Sequence, residues 1–202
     1  MTNEGRLIIF SAPSGCGKGT MLAEILKDDR FYCSVSATTR QPREGEVDGV
    51  NYHFLTTESF KQKIDEDAFL EYARYCDNYY GTLTSEVDDR LKAGINVILE
   101  IEVQGAMKVM EKRRDALSVF IAPPSVGELR RRLNKRGTET QEVIDKRVKA
   151  ALDELPYAAN YDYIIVNDAL EDAVDDFFAV IRAEQLKKSV QSKFIDEVIE
   201  NA

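Results

Sequence analysis

Residues 7–20 read LIIFSAPSGCGKGT. The apolar run Leu7–Phe10 has the composition and length of a short buried strand. A glycine-rich turn follows it, and Leu22, Ile25 and Leu26 then recur at helical spacing. Strand, glycine loop and helix in that order are the setting of a phosphate-binding loop. Such a loop holds phosphate oxygens on curled backbone N–H groups and on the positive end of the helix that follows. Gly15 and Gly17 let the chain curl, and Lys18 brings a fixed positive charge to the phosphates. The strict pattern has Gly first and Ser or Thr directly after the Lys; Ala12 and Gly19 stand there instead. Ala12 suits the loop if its φ stays negative. Gly19 removes a hydroxyl that ligates Mg²⁺ in many such loops, so Thr20 is expected to contact a phosphate and Mg²⁺ to keep more of its water. ATPases, GTPases and kinases all use a loop of this kind, and a glycine turn without a ligand is the alternative.

Outward from the loop, the chain alternates. NVILEIE (96–102), LSVFIA (117–122) and YIIV (163–166) read as strands. Helical spacing lies between them: Val87 and Leu91 with Gly94 as the stop, Gln104 to Arg113, an Arg-rich helix after Pro123 and Pro124, and Ile144, Val148, Leu152 and Leu155. Ser125 and Glu128 form a capping-box pattern. Asp168 and Glu171 suit the start of a long helix through Phe177, Phe178 and Ile181. The fold class is therefore α/β, with a parallel sheet covered on both faces. The middle of the chain differs in texture: SVSATTR, YHFLT and FLEYARY are β-like, Glu58 to Asp65 is helical, and CDNYYGT is turn-rich, an α+β region. Phe194, Ile195, Val198 and Ile199 share one face of a terminal helix that is expected to dock on its own core.

The chain has 202 residues, 44% of them hydrophobic and 31% charged, which fits one folded domain and argues against disorder. No apolar run approaches a bilayer span and MTNEGR has no signal pattern, so the expected location is the cytoplasm, with no membrane partner. The net charge of −9 disfavours nonspecific nucleic-acid binding. Arginines nevertheless gather at Arg40 and Arg43, and at Arg130, Arg131, Arg132 and Arg136 with Arg147 beyond, as a small anionic ligand would require; a solvated helix face is the alternative. Cys16, Cys33 and Cys76 have no metal-like spacing and read as reduced thiols. His53, the single histidine, reads as structural.

SATTRQPREGEVDGVNYHF (36–54), FLEYA, NYYGT, LEIEVQG, IAPPS, RRRLNKRGTET, DKR and IVND, in this order, resemble guanylate kinases of the bacterial kind from about residue 6 to 185. The resemblance implies transfer of the terminal phosphoryl group of ATP to GMP, and also to dGMP, with Mg²⁺. It implies a P-loop kinase fold with a core at 1–35, 84–125 and 158–202, an inserted GMP-binding subdomain at 36–83 and a helical lid at 126–157. It places ATP on Ala12, Pro13, Ser14, Gly15, Cys16, Gly17, Lys18, Gly19, Thr20, Arg132 and Asn167, with Lys18, Arg136 and Arg147 as the catalytic cations. It places guanine on Ser36, Glu71 and Thr82, the GMP phosphate on Arg40, Arg43, Tyr52 and Tyr80, and Glu102 on the guanine side. LEIE replaces the family's LDID, so each carboxylate at 100 and 102 is one methylene longer, with Glu100 near the metal's water and no direct protein ligand to the metal. Rival readings are a scaffold domain that keeps the fold without the chemistry, and a kinase for another monophosphate, since GKGT also resembles adenylate kinase.

Overall fold

The computed structural model describes residues 4–135 and 140–200, apart from the side chains of Tyr75 and Lys193. Its larger sheet contains β1 (Leu7–Ser11), β2 (Phe31–Cys33), β7 (Asn96–Glu100), β8 (Leu117–Ala122) and β9 (Tyr163–Val166) in the order β2-β7-β1-β8-β9. All four pairings are parallel. Every residue of β1 is buried, as expected for a central strand with both faces covered. Its side chains alternate. Ile8 and Phe10 pack with α1 (Lys18–Ile25) and α7 (Leu170–Gln185), and Leu7 and Ile9 with α3 (Thr84–Lys92) and α4 (Val103–Lys112).

The inserted region forms a second sheet in the order β4-β3-β6-β5, from β3 (Ala37–Thr38), β4 (His53–Phe54), β5 (Phe69–Tyr75) and β6 (Asn78–Leu83). Helix α2 (Thr57–Asp65) covers it, with Thr56 as N-cap accepting from the Ser59 amide at 3.1 Å. Phe60 of α2 stacks on Phe69 at 4.3 Å and on Tyr79 at 5.4 Å, which gives this sheet a small core of its own. Helices α5 (Val126–Lys135) and α6 (Gln141–Glu154) press Leu129, Leu133, Ile144 and Val148 into the main core. A 3₁₀ turn at Leu155–Asn160 then leads to β9.

Four details depart from the sequence expectations. The edge strand β2, only three residues long, gave no periodic signal. Strand β7 stops at Glu100 because the Ile101 carbonyl leaves the ladder to accept from Ser11 Oγ at 2.9 Å and Lys18 Nζ at 3.3 Å; Glu102 becomes the N-cap of α4. The capping box is half formed: Ser125 Oγ accepts from the Glu128 amide at 3.1 Å, but Arg131 and Arg132 take the Glu128 carboxylate. The N-cap of α7 is Ala169, with no side-chain cap.

The last helix, α8 (Lys188–Glu200), does not dock on the core. Phe194, Ile195, Val198 and Ile199 are 47%, 52%, 52% and 68% exposed. Ala173, Phe177 and Ile181 of α7 already close that side of the sheet, and the turn at Leu186 carries α8 beyond it. Among the described residues no helix is long and apolar enough to cross a membrane.

Candidate active site

The glycine loop joins β1 to α1 at the carboxyl end of the sheet's central strand, where parallel sheets place their ligands. Gly15 and Gly17 have φ of 91° and 84°; Ala12 is not among the residues with positive φ, so its Cβ is accommodated. Gly17 is required twice over. It caps α1 in the left-handed region, and a Cβ there would lie 2.5 Å from Asn167 Nδ2. Its carbonyl accepts from the amides of Thr20 and Met21, both at 3.1 Å. Among the described residues, none accepts from the amides of Gly15, Gly17, Lys18 and Gly19, which leaves a nest of donors for an anion. Cys16 is buried in the loop, and burial pushes its thiol up to about 12, so it is neutral beside the donors.

A cleft of about 350 Å³ opens here, lined by residues 12–19 and rimmed by Glu100, Glu102, Arg147 and Glu154. Lys18 Nζ stands 4.0 Å from Glu100 Oε1. Arg147 on α6 donates from Nη2 and Nε to Ser14 Oγ, at 2.6 and 3.2 Å, which fastens α6 to the loop. Glu154 was not found from sequence. Its carboxyl is held above the ordinary value by burial and then by Glu102, against the pull of Lys18. Its one sequence signal was position: Arg147 and Glu154 lie two turns apart on one face of α6. Arg136 lies outside the described residues. Thr20 is exposed at the start of α1.

Arg132 is not in the cleft wall. Its guanidinium bonds the carbonyls of Asn167 at 2.8 Å and Asp168 at 3.1 Å, and the Glu128 carboxylate at 2.7 Å. Asn167, only 5% exposed, donates from Nδ2 to the Cys16 carbonyl at 2.8 Å. The end of β9 is thereby tied to α5 on one side and to the loop on the other.

The second cluster lies on the smaller sheet. Glu71 and Thr82 face each other across β5 and β6, and Thr82 Oγ1 donates to Glu71 Oε1 at 3.0 Å. Burial holds the Glu71 carboxyl above the ordinary glutamate value, opposed by the Thr82 hydrogen bond and the Lys108 charge. Gly105, in the first turns of α4, lies beside this carboxylate: a Cβ there would lie 3.5 Å from Glu71 Oε2, an ordinary van der Waals contact. Arg40 lies 5.4 Å over the Tyr52 ring, and Tyr52 is 6.1 Å from Tyr80. Glu46 steadies this group, accepting from Arg40 Nη2 at 2.8 Å and from the Arg43 amide at 2.7 Å; sequence reasoning quoted its motif without giving it a role. The Arg43 side chain is exposed, and Ser36 is half-buried between β2 and β3.

Two groups therefore emerge on separate sheets. The loop, Lys18, Arg147 and Glu102 meet around the cleft; Glu71 with Thr82, and Arg40 with Tyr52 and Tyr80, gather on the inserted sheet. Helix α4 links them, with Glu102 at the cleft and Gly105 beside Glu71. Among the described residues no group of three or more His, Cys, Asp or Glu could hold a metal ion by itself.

Known proteins are similar to this chain along most of its length. The guanylate kinase family model matches residues 4–184. A guanylate kinase of Clostridium perfringens is 54% identical over 186 residues, covering 92% of this chain and 86% of that protein. One from Latilactobacillus sakei is 50% identical over 189 residues, covering 93% of each. The crystal structure of guanylate kinase from Anaplasma phagocytophilum superposes with a TM-score of 0.69 at 34% identity, over 95% of this chain and 96% of that one.

Proposed function

The chain belongs to the guanylate kinase family, and from that premise we propose how its residues transfer the terminal phosphoryl group of ATP to GMP, giving ADP and GDP. The observation that carries the assignment of parts is the Glu71–Thr82 pair. Thr82 fixes one carboxylate oxygen, and the other lies beside Gly105 of α4. Guanine offers two parallel donors, N1–H and the 2-amino group, which one ionised carboxylate accepts together. Adenine lacks this donor pair and would leave a half-buried carboxylate unsatisfied, which is how sites reject near-analogues. Ser36 adds a hydroxyl at the base edge. Arg40, Arg43, Tyr52 and Tyr80 hold the GMP phosphate, with the planar fork of arginine suited to its oxygens. These contacts fall on base and phosphate rather than on the 2′ position, which supports dGMP as a second acceptor.

ATP lies with its phosphates on the amides of the loop and on Lys18. Arg147, already at the loop's Ser14, meets charge on the transferred group, with Arg136 and, through the lid, Arg132. The GMP phosphate is ionised at neutral pH, so attack on the γ-phosphorus needs no general base. Catalysis is alignment and charge neutralisation. The residues around the cleft fit Mg²⁺ held by phosphate oxygens and water. Gly19 offers no hydroxyl, while the Glu100 and Glu102 carboxylates rim the cleft with the loop amides on its wall and can accept from metal-bound water. When bound, Mg²⁺ would neutralise phosphate charge. Because the two clusters sit on separate sheets, the inserted sheet closes towards the loop before transfer, which excludes water and limits ATP hydrolysis. The free thiols and nucleotide substrates support a cytoplasmic location.

The test is a coupled ADP-release assay with GMP, dGMP, AMP and UMP at equal concentration. GMP and dGMP are expected to turn over and the others to be poor acceptors. A preference for AMP would sink the role given to Glu71.

A further inference from the structure

The chain passes from the main sheet to the inserted sheet through residues 34–36 and returns at Leu83, directly before α3. One carboxylate stands at both crossings. Glu86, in the first turn of α3 and with a side chain only 10% exposed, accepts from Tyr32 Oη at 2.7 Å and from the Val35 amide at 3.3 Å through Oε1. Its other oxygen, Oε2, is bonded by His53 Nε2 from β4. His53 in turn donates its backbone amide to the Ser36 carbonyl at 2.9 Å. Arg90 completes the group, 3.4 Å over the Tyr32 ring and 3.9 Å from Glu86 Oε1. Burial raises the Glu86 carboxyl, but the Tyr32, His53 and Val35 hydrogen bonds outweigh it and hold it below the ordinary value, so it is ionised at neutral pH.

We propose that Glu86 and His53 form a positioning pair that fixes the inserted sheet, and Ser36 with it, at the angle GMP binding requires. Glu86 belongs to α3, whose Val87 and Leu91 are anchored in the main core; His53 belongs to the inserted sheet, where it pairs with Ala37. The contact crosses the junction between the two bodies and brackets Ser36, through Val35 on one side and the His53 backbone on the other. Neither side chain touches the cleft that holds the phosphate loop. The pair acts on GMP and not on ATP. An Nε2–H is present in the imidazolium and in one neutral tautomer, so the contact does not depend on the histidine carrying charge.

The consequence rests on the guanine-side reading above and is tested beside it. In the full chain, Glu86→Gln and His53→Phe are each expected to raise the KM and calorimetric Kd for GMP about tenfold, with the KM for ATP unchanged. The double variant should be no worse than either single change, since both remove the same contact. His53→Gln places an amide N–H near the Nε2 position and should restore GMP affinity; His53→Asn is too short and should not. Unchanged GMP affinity in the Glu86 and His53→Phe variants overturns the proposal. So does a parallel rise in both KM values with a lowered melting temperature, the mark of a merely structural role. Ser36→Ala reads the guanine-edge assignment separately. If it leaves GMP affinity unchanged while the pair's variants weaken it, the pair stands and the role of Ser36 falls. If it weakens GMP binding while they do not, the pair falls.

Discussion

Replacing Thr82 by Val is nearly isosteric and removes one donor from Glu71. Thr82 is 1% exposed, so water cannot replace the lost hydroxyl. A hydrogen bond to a charged group contributes about 1.5–3 kcal/mol. The Thr82 backbone also favours ionised Glu71 and survives the change, so the lower end applies. At about 1.4 kcal/mol per decade, the KM for GMP should rise about tenfold at neutral pH, with the KM for ATP unaffected. The pH dependence gives a second reading. Burial already holds the Glu71 carboxyl above the ordinary value, and only the ionised form accepts both guanine donors. GMP affinity is therefore full above that raised value and is lost as the pH falls through it. Thr82→Val removes a contribution that lowers the value, so the loss should begin at a higher pH than in the parent. The assay is ADP release at varied GMP between mildly acid and neutral pH, with a melting curve for the variant. A KM for GMP within about twofold of the parent, with the same pH midpoint, would refute the reasoning.

Other outcomes follow from the same geometry. Gly17→Ala puts a Cβ at a φ of 84° and 2.5 Å from Asn167 Nδ2, so it should lower stability by about 1–3 kcal/mol in thermal melts and abolish most turnover. Alkylation mapped by mass spectrometry at about pH 8 should find Cys76 modified first, because it is exposed, while Cys33 and Cys16, with thiols pushed up to about 11 and about 12, react slowly; early loss of Cys16 would contradict its placement. Ending the chain after Lys187 should leave kcat and both KM values unchanged, since among the described residues α8 contributes none to either cluster and none to the buried core.

The sheet was legible in the sequence where strands are buried on both faces, as in LIIF and the apolar stretches of β7 and β8; YIIV was legible as an apolar run although it lies at the sheet edge with Ile164 and Val166 54% and 51% exposed. Strand β2 was not, since three residues at an edge carry no period. The phosphate loop was legible for a local reason: a chain that points its amides inward needs glycine where φ is positive, and Gly15 and Gly17 stand there. The residues proposed to hold guanine were reached through resemblance. Composition alone makes Glu71 and Thr82 ordinary residues of an α+β region.

What depends on neighbours along the chain was legible in the sequence by itself: the longer strands and helices, and the glycine loop with its lysine. Tertiary structure decided which distant side chains meet. Asn167 turned out to serve the Cys16 carbonyl, 151 positions away. Glu154 came to rim the cleft, Glu46 took hold of Arg40, and the apparently structural His53 met Glu86 across the junction of two sheets. The apolar face of α8 made the opposite point, since its periodicity promised burial and the core had already been closed by α7. Backbone conformation is limited by sterics a few residues at a time. Partnership between side chains is set by strand order and helix packing, which no short window of sequence contains.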